Sequence, residues 1–408
     1  MTFEFNISNP GARSMALGGA FAALADDATA AFANPAGLTQ LYRPELSAEG
    51  RSWSYDTPFV TAGRVSGSAT GEGIDTADGL RFGRSQSDVT GLSFASFSYP
   101  GDRWSVALYR HTWADFSLNS QVNGLFGVEE GEDVRSEDVT SQTQFEVINT
   151  GVSGAYQITP QLSLGVGLAH YSAKMNSLSV EYALEDENFF QFNPYTDDLI
   201  DTTYTHRSNS SGVIANVGML WKINENWSLG GYFRQGPELD LRVIEVTGPG
   251  QDELPPGTVE FDQIVPLQLP DVFGLGLAYR STDGRWVVSG EWSHVGYSSI
   301  SDSLDGRVFD QGQISTADAD ELHIGVEYVF IESTPIVALR LGAWHDPAHG
   351  VGSGPTAEQF ERAIFTGGKS QTHFTTGVGL VFEKFQIDFG LSVSDSVDIA
   401  SLSFVYGF

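Results

Sequence analysis

Large apolar side chains recur at every second position through much of this chain. In residues 272–280, glycine, alanine or arginine alternates with a bulky residue, namely Phe273, Leu275, Leu277 and Tyr279. Strict alternation of this kind predicts β-strands with one apolar face. The same pattern is found in residues 162–168, 322–330 and 386–393.

The second face of these strands distinguishes two kinds of sheet. A soluble sheet usually carries lysine, glutamate and threonine on its hydrated side, whereas here that side is mostly glycine, serine and alanine. Bulky apolar side chains that point outward and small or polar ones that point inward are typical of transmembrane β-barrels. A soluble sandwich also alternates, so the connections between strands provide an independent test.

Short connections alternate with long polar ones along nearly the whole chain. The short ones are residues 100–103, 159–161, 224–226, 282–284, 332–335 and 383–385. The long ones are residues 56–90, 119–141, 185–204, 247–258, 301–319 and 346–370. Tight periplasmic turns and long outer loops give a barrel this pattern. We therefore predict an all-β fold, a transmembrane antiparallel barrel of about 14 strands over residues 45–408, with both termini on the periplasmic side.

Composition excludes several classes of protein. The chain has no cysteine, so disulfides and thiolate metal sites are excluded. A net charge of −31 argues against a nucleic-acid partner, because phosphate binding needs clustered cations. The first residues lack the basic and apolar regions of a signal peptide. We interpret the chain as the mature form of a protein of the bacterial outer membrane, with its signal peptide absent.

Residues 1–44 precede the predicted barrel and do not resemble a loose tail. Disordered tails are usually polar, whereas this segment is rich in alanine between residues 15 and 32 and contains several phenylalanines. Small side chains suit a segment that packs in a confined space. We predict that residues 1–44, called the hatch below, form a plug inside the barrel lumen.

Several hatch motifs together resemble one known family. They are FEFN at 3–6, GAR at 11–13, GGA at 18–20, ADDA at 25–28 and NPAGL at 34–38. Their order and spacing are similar to those of the FadL-type outer-membrane long-chain fatty acid transporters. The segment LQLPDV at 267–272 and the terminal Phe408 also fit, so the resemblance covers essentially the whole chain.

The resemblance implies both a route and a set of residues. Hydrophobic cargo is expected to enter through an apolar groove on the outer loops, reach an internal pocket and leave through a gap in the wall at a kinked strand. The hatch residues on this path would be Asn34, Pro35, Ala36 and Gly37, with Phe3 and Phe5 reaching the pocket. The lateral gate would fall on Trp113, Ala114 and Asp115, where this chain departs from the small residues of the family.

An otherwise acidic outer loop contains four aromatic residues. Exposed apolar patches commonly mark binding surfaces, so these residues are candidates for the outer capture groove. The alternative is that they pack among neighbouring loops. The four are Phe189, Phe190, Phe192 and Tyr195.

Arginine is the residue that best suits a fatty acid head group, because its guanidinium binds both carboxylate oxygens. Alternation assigns Arg340 and Arg280 to the lumen, and Arg340 is the first candidate. Lumen charges also commonly pair with one another, and a neutral hydrocarbon would need no cation. No cofactor, metal site or catalytic group is predicted.

The sequence therefore predicts a monomeric outer-membrane transporter of long-chain fatty acids or related hydrophobic compounds. Its partners would be a hydrophobic small molecule, membrane lipid and lipopolysaccharide. One alternative is a neutral hydrocarbon channel of the same fold, for monoaromatic compounds or alkanes. Others are a non-transporting barrel that serves as a scaffold in a secretion machinery, and a hydrophilic porin, which a plugged lumen disfavours.

Overall fold

The computed structural model describes residues 9–184, 188–251 and 253–408. Phe3 and Phe5 lie outside these residues. The predicted fold is confirmed, because the chain forms a closed antiparallel barrel in which the first strand pairs with both the second and the last. The wall has fourteen staves, a stave being one complete strand or two collinear strands separated by a short interruption. Closure pairs each stave with a neighbour on both sides over at least part of its length, and a β-structure in a bilayer needs such internal pairing of its backbone.

The first half of the chain forms six staves and a small outer hairpin. The staves are β1 Glu45–Arg64, β2 Leu80–Pro100, β3 Trp104–Val122, β6 Asp138–Gln157, β7 Leu162–Tyr182 and β8 Ile200–Lys222. The hairpin consists of β4 Leu125–Glu129 and β5 Glu132–Arg135.

In the second half, two staves are interrupted. The interrupted staves are β9 Trp227–Arg234 with β10 Glu238–Thr247, and β11 Val259–Gln268 with β12 Val272–Arg280. Pro237 and Pro270 lie in the two interruptions, since proline has no N–H to donate to a ladder. The remaining staves are β13 Trp286–Val295, β15 Ala319–Phe330, β16 Ile336–Asp346, β18 Gln371–Val381, β19 Phe385–Val393 and β20 Val397–Gly407.

Side-chain exposure follows the predicted alternation. Phe273, Leu275 and Leu277 of β12 are each about two-fifths exposed on the outer surface, while Val272 and Ala278 are buried. Bulky apolar side chains therefore face outward, as a lipid-facing wall requires.

The described part of the hatch, residues 9–44, consists of short helices and turns. Within it, α1 spans Ala12–Ala16, α2 spans Ala30–Ala33, and a 3-10 helix spans Pro35–Gln40. The outer loops contribute α3 Ser298–Leu304, α4 Gln359–Ile364, and the two-residue strands β14 Ile314–Ser315 and β17 Gly352–Ser353. No helix among the described residues has the length and apolar character needed to cross a bilayer.

Candidate functional site

Glycines on the inner face of the wall provide the space in which the hatch lies. Eight of them form four pairs that lie opposite each other on neighbouring strands: Gly165–Gly218, Gly230–Gly276, Gly325–Gly342 and Gly377–Gly390. A Cβ built on any of the eight would lie within 3.1 Å of a hatch atom. The hatch therefore packs directly against wall backbone on several sides of the barrel.

Asn34 and Pro35 occupy the first of these glycine pairs. The Asn34 side chain is fully buried, and its Nδ2 donates to the carbonyls of Ala22 (2.8 Å) and Met219 in the wall (3.0 Å). Its Oδ1 accepts from the Ala36 N–H at 3.2 Å and so caps the 3-10 helix that Pro35 begins. Asn34 thus joins two hatch segments to β8.

Gly37 allows the hatch to fold back on itself. A Cβ at this position would lie 2.2 Å from the carbonyl oxygen of Ala25, so any larger residue would separate the two hatch segments. All four members of the predicted Asn-Pro-Ala-Gly motif are buried. The motif is therefore a packed junction between plug and wall.

Wall side chains also accept hydrogen bonds from backbone N–H groups in the irregular segments of the hatch. Glu291 of β13 accepts hydrogen bonds from the N–H groups of Phe21 (2.8 Å) and Ala22 (2.7 Å). Glu49 of β1 accepts from the N–H of Gly11 at 2.9 Å. Buried backbone groups outside regular structure need such partners, so these carboxylates hold the hatch in one position.

The predicted head-group candidate Arg340 is buried in an ion network. Its Nε lies 2.6 Å from Glu327 and its Nη1 lies 2.5 Å from Asp388. Glu327 also pairs with Arg13 of the hatch at 3.0 Å. Two carboxylates and two guanidinium groups therefore connect β15, β16, β19 and the hatch.

Arg280, the second candidate, also pairs with the hatch. Its Nη2 lies 2.8 Å from Asp26, and its side chain is about half exposed. Burial would raise the pKa of Asp26, but the guanidinium groups of Arg13 and Arg280 hold it well below its usual value. Asp26 therefore stays ionised, and Arg280 is already paired in this closed arrangement.

Arg234 of β9 is a buried cation that alternation along the sequence did not identify. It is 6 % exposed, and its Nη2 donates to the side chain of Asn9 and to the carbonyl of Ala33, both at 2.6 Å. No carboxylate of the described residues lies within ion-pair distance of it, and its Nε has no hydrogen-bond partner there. Its guanidinium also lies over the rings of Tyr232 (3.9 Å) and Phe32 (4.8 Å).

Arg234 lines a small cavity above the hatch. Glu291, Glu321 and His323 line the same cavity, whose volume is about 40 Å³. On the same measure one water molecule needs about 10–15 Å³, so the cavity has room for only a few waters. A long-chain molecule therefore fits here only when the surrounding residues move.

The wall has a gap between β2 and β3. These strands pair over seven residues, from Pro100 opposite Ser105 to Phe94 opposite His111, and no further. Beyond that point β2 remains paired with β1, and β3 remains paired with β6. Seven residues span about 24 Å of strand, or about 18 Å of height at a 40° tilt, so the gap begins within the apolar band of the membrane.

Two β-bulges produce this gap. One inserts Ser93 into β2 and the other inserts Trp113 into β3, each within two residues of the last ladder pair. A bulge bends its strand and increases its twist, so two bulges at one level end the main-chain ladder, while side-chain bonds keep the strands close farther out. The bulge in β3 also reverses which residues face the lumen, so that Ala114 and Phe116 point inward.

The three predicted gate residues lie at the edge of the gap. Trp113 is the bulge residue and is buried, and Ala114 packs against the core beside it. The carbonyl of Asp115 accepts a hydrogen bond from the Tyr55 hydroxyl on β1 at 3.0 Å, which bridges the gap. Farther out, the hydroxyls of Ser87 and Ser117 lie 2.7 Å apart and form a second bridge.

Between the last ladder pair and these bridges the gap is open toward the lumen. Gly91 lies opposite Arg51 in the β1–β2 ladder and therefore faces inward with it. Among the described residues, no heavy atom would lie within 4 Å of a Cβ at Gly91. This opening lies directly beside the bulge at Trp113.

Aromatic side chains cover the inner side of the gap. Phe32 of the hatch lies 4.2 Å from the His111 ring and 6.2 Å from the Tyr109 ring, measured between centroids. Phe94 is fully buried against the same two residues. This cluster is continuous with the apolar inner faces of β10, β11 and α3, so an apolar surface extends from the outer half of the lumen to the gap.

The four outer-loop aromatics lie in different environments. Phe189 and Phe190 pack on Phe126 of β4, with centroids 6.0 and 5.7 Å away. Tyr195 packs on Tyr182 at 5.0 Å, whereas Phe192 is 67 % exposed. The structure therefore brings Phe189 and Phe190 together and leaves Phe192 at the surface.

Comparison with known proteins identifies the family. Residues 1–392 match the family described as "Outer membrane protein transport protein (OMPP1/FadL/TodX)". Similar solved structures include a Pseudomonas aeruginosa FadL homologue, with 14 % identity, full coverage of both chains and a TM-score of 0.67. The CymD monoaromatic hydrocarbon channel is 15 % identical over 99 % of each chain, with a TM-score of 0.62. The Ralstonia pickettii toluene transporter TbuX is 15 % identical over 99 % of this chain and all of its own, with a TM-score of 0.61. No curated protein matches the chain.

Proposed function

We propose that this chain, which belongs to the OMPP1/FadL/TodX family of outer-membrane transport proteins, moves long-chain fatty acids across the outer membrane by passive diffusion. The cargo leaves sideways through the gap between β2 and β3, and movement of the hatch controls the passage. The protein acts as a monomer whose acidic outer loops contact lipopolysaccharide. It is a transporter and catalyses no reaction.

The gap in the wall is the observation that carries the proposal. An apolar molecule released into the periplasm would lose the free energy that it gains from an apolar environment, about 25 cal/mol for each Å² of surface. A side exit into the bilayer avoids that loss. The aromatic cluster of Phe32, Phe94 and Tyr109 on the inner side of the gap offers such a molecule a continuous apolar path.

The hatch supports a gated mechanism. Its contacts with wall glycines and with Glu291 and Glu49 fill the lumen below the gap. The cavity beside Arg234 is too small for a long chain. Passage therefore needs the hatch to shift, and its many small contacts can be broken in succession.

Arg234 favours an acid as the cargo. A buried guanidinium without a carboxylate partner is costly, and the head group of a fatty acid would supply that partner. The pairing of Arg340 and Arg280 with protein carboxylates favours the second candidate, a neutral hydrocarbon. The toluene transporters among the similar structures agree with this second candidate.

A reversible crosslink tests the lateral route. Because the chain has no cysteine, a Ser87→Cys/Ser117→Cys variant would contain a single pair of thiols, which replace hydroxyls 2.7 Å apart across the gap. Thr143→Cys/Ser177→Cys is the matched control, since these hydroxyls lie 2.8 Å apart across the continuous β6–β7 ladder. Uptake of oleate and of toluene is measured before and after addition of dithiothreitol.

We expect oxidation to slow uptake in the first variant only, with recovery on reduction. Equal uptake by its oxidised and reduced forms would exclude a lateral exit that needs the outer halves of β2 and β3 to separate. A large ion conductance of the wild-type barrel in planar bilayers would favour a porin. A stable complex with secreted proteins, together with no uptake of either compound, would favour a secretion scaffold.

A further inference from the structure

Two polar side chains lie at the inner edge of the gap. His111 of β3 and Asn149 of β6 face each other directly across the ladder. His111 is also the last residue of β3 that pairs with β2. They are 1 % and 0 % exposed, so both lie within the packed lumen wall.

Three polar atoms of this pair have no hydrogen-bond partner. They are Nδ1 of His111 and both polar side-chain atoms of Asn149, Nδ2 and Oδ1, counted over the residues that the structure describes. The neighbour of Asn149 on β7, Tyr171, donates its hydroxyl to the carbonyl of Glu238 at 2.5 Å instead. Buried amide groups are nearly always paired because an unpaired one is destabilising, so this arrangement needs an explanation.

Apolar side chains pack against the pair on several sides. The ring of Phe32 lies 4.2 Å from that of His111, and Phe94 lies 6.1 Å away on the other side of the gap. Val147, the next inward residue of β6, is fully buried. Apolar rings beside unpaired donors and acceptors match a molecule that has an apolar body and one polar end.

We infer that His111 and Asn149 bind the oxygen-bearing end of a long-chain cargo at the inner edge of the gap. This inference rests on the proposed transport function and specifies its cargo. An asparagine side chain offers donors and an acceptor, and the histidine Nδ1 does either according to its tautomer. A carboxylic acid or an alcohol satisfies these atoms, whereas a hydrocarbon leaves them unpaired.

Arg234 makes the acid the preferred cargo. Its guanidinium lies over Phe32 at 4.8 Å, the same ring that contacts His111. No carboxylate of the described residues pairs with it. A nearby cation stabilises a carboxylate more than a neutral hydroxyl, so oleate should be carried better than oleyl alcohol of equal length.

The test compares three cargoes of equal chain length: oleate, oleyl alcohol and 1-octadecene. The variants are Asn149→Leu and His111→Phe, which keep approximate side-chain volume but remove the hydrogen-bonding atoms. Asn176→Leu is the control, because Asn176 is exposed on the outer face of β7. Initial uptake rates are measured at low cargo concentration, and the melting temperature of each purified barrel is recorded without cargo.

We expect oleate uptake to fall about tenfold or more in either variant, as for the loss of hydrogen bonds to a charged group. Oleyl alcohol should fall less, and 1-octadecene should be unchanged. The melting temperature should stay equal or rise, because an unpaired buried polar group has been removed.

Two results would overturn the inference. One is an unchanged oleate rate in both variants. The other is an equal fall for all three cargoes with a lower melting temperature, since that would show a purely structural role. If the wild-type protein carries none of the three cargoes, the proposed transport function fails, and this inference fails with it.

Discussion

Replacing Asn34 with alanine should release the hatch without unfolding the barrel. The substitution removes the two bonds that Nδ2 donates, to Ala22 at 2.8 Å and to Met219 at 3.0 Å, and the bond that Oδ1 accepts from Ala36 at 3.2 Å. At about 1 kcal/mol each, the three bonds amount to about 3 kcal/mol. Opening that unfolds these hatch segments breaks all three bonds and should become about a hundredfold more frequent. A rigid displacement of the hatch breaks only the bond to Met219 and should become about fivefold more frequent.

The barrel itself should keep its stability. Its ladders are formed by main-chain pairs around the whole wall, and Asn34 contributes only a side-chain bond to one wall carbonyl. Hydrogen exchange measured by mass spectrometry should show faster exchange in residues 12–40 only. Thermal unfolding of the barrel should move by no more than a few degrees, and channel openings in planar bilayers should become more frequent.

Asn193→Ala is the matched control for this experiment. Asn193 is also buried, accepts from a main-chain N–H two residues on (Tyr195, 3.0 Å) and donates to a distant carbonyl (Ala183, 3.1 Å), but it lies in an outer loop. It should leave hatch exchange unchanged. If Asn34→Ala lowered the barrel melting temperature as strongly as it exposed the hatch, the motif would be an architectural element of the barrel and the reasoning above would be refuted.

Three further outcomes are expected. Gly165→Ala should displace the hatch, because the new Cβ would lie 2.3 Å from a hatch nitrogen. Gly154→Ala is the control, since Gly154 faces outward and its new Cβ would meet no hatch atom. Hydrogen exchange should be faster in the hatch of the first variant only. Arg340→Ala should destabilise the protein by about 3–5 kcal/mol in denaturant unfolding, since it leaves the buried carboxylate of Asp388 without its ion partner. Unchanged oleate binding in this variant would exclude a head-group role. Phe192→Ser should slow oleate uptake at low concentration without exposing the loop to protease, because Phe192 lies at the surface. Phe190→Ser should make the loop sensitive to protease, because Phe190 packs on Phe126. Equal protease sensitivity of the two variants would contradict this prediction.

The barrel wall was predictable because a period of two is a local property of the chain. Leu275 and Leu277 identify their own outward face through their immediate neighbours. The pairs of wall glycines against which the hatch packs, called seats here, were not predictable in the same way. Gly325 and Gly342 form one seat only because the register of β15 and β16 places them opposite each other, and register depends on contacts between distant parts of the chain.

The gap between β2 and β3 was likewise only partly predictable from the sequence. Trp113 was an unusual residue at the expected gate, but a second bulge at Ser93 is also needed to end the ladder, and no sequence signal marked that bulge. The ion partners of Arg340 come from positions 13 and 48 residues away. Arg234 was missed because β9 and β10 are interrupted after it, which ends the alternation that would have assigned its face.

Three consecutive hatch residues connect the seat of the hatch to the gap. The carbonyl of Phe32 accepts from Asn216 at 3.2 Å, that of Ala33 from Arg234 at 2.6 Å, and the side chain of Asn34 donates to Met219 at 3.0 Å. These anchors on β8 and β9 hold the Phe32 ring against His111 on the opposite side of the gap. Because α2 is a single short helical turn, displacement of Asn34 also moves Phe32. Movement of the hatch would therefore expose the inner edge of the gap, so that release of the hatch and access to the side exit are one event.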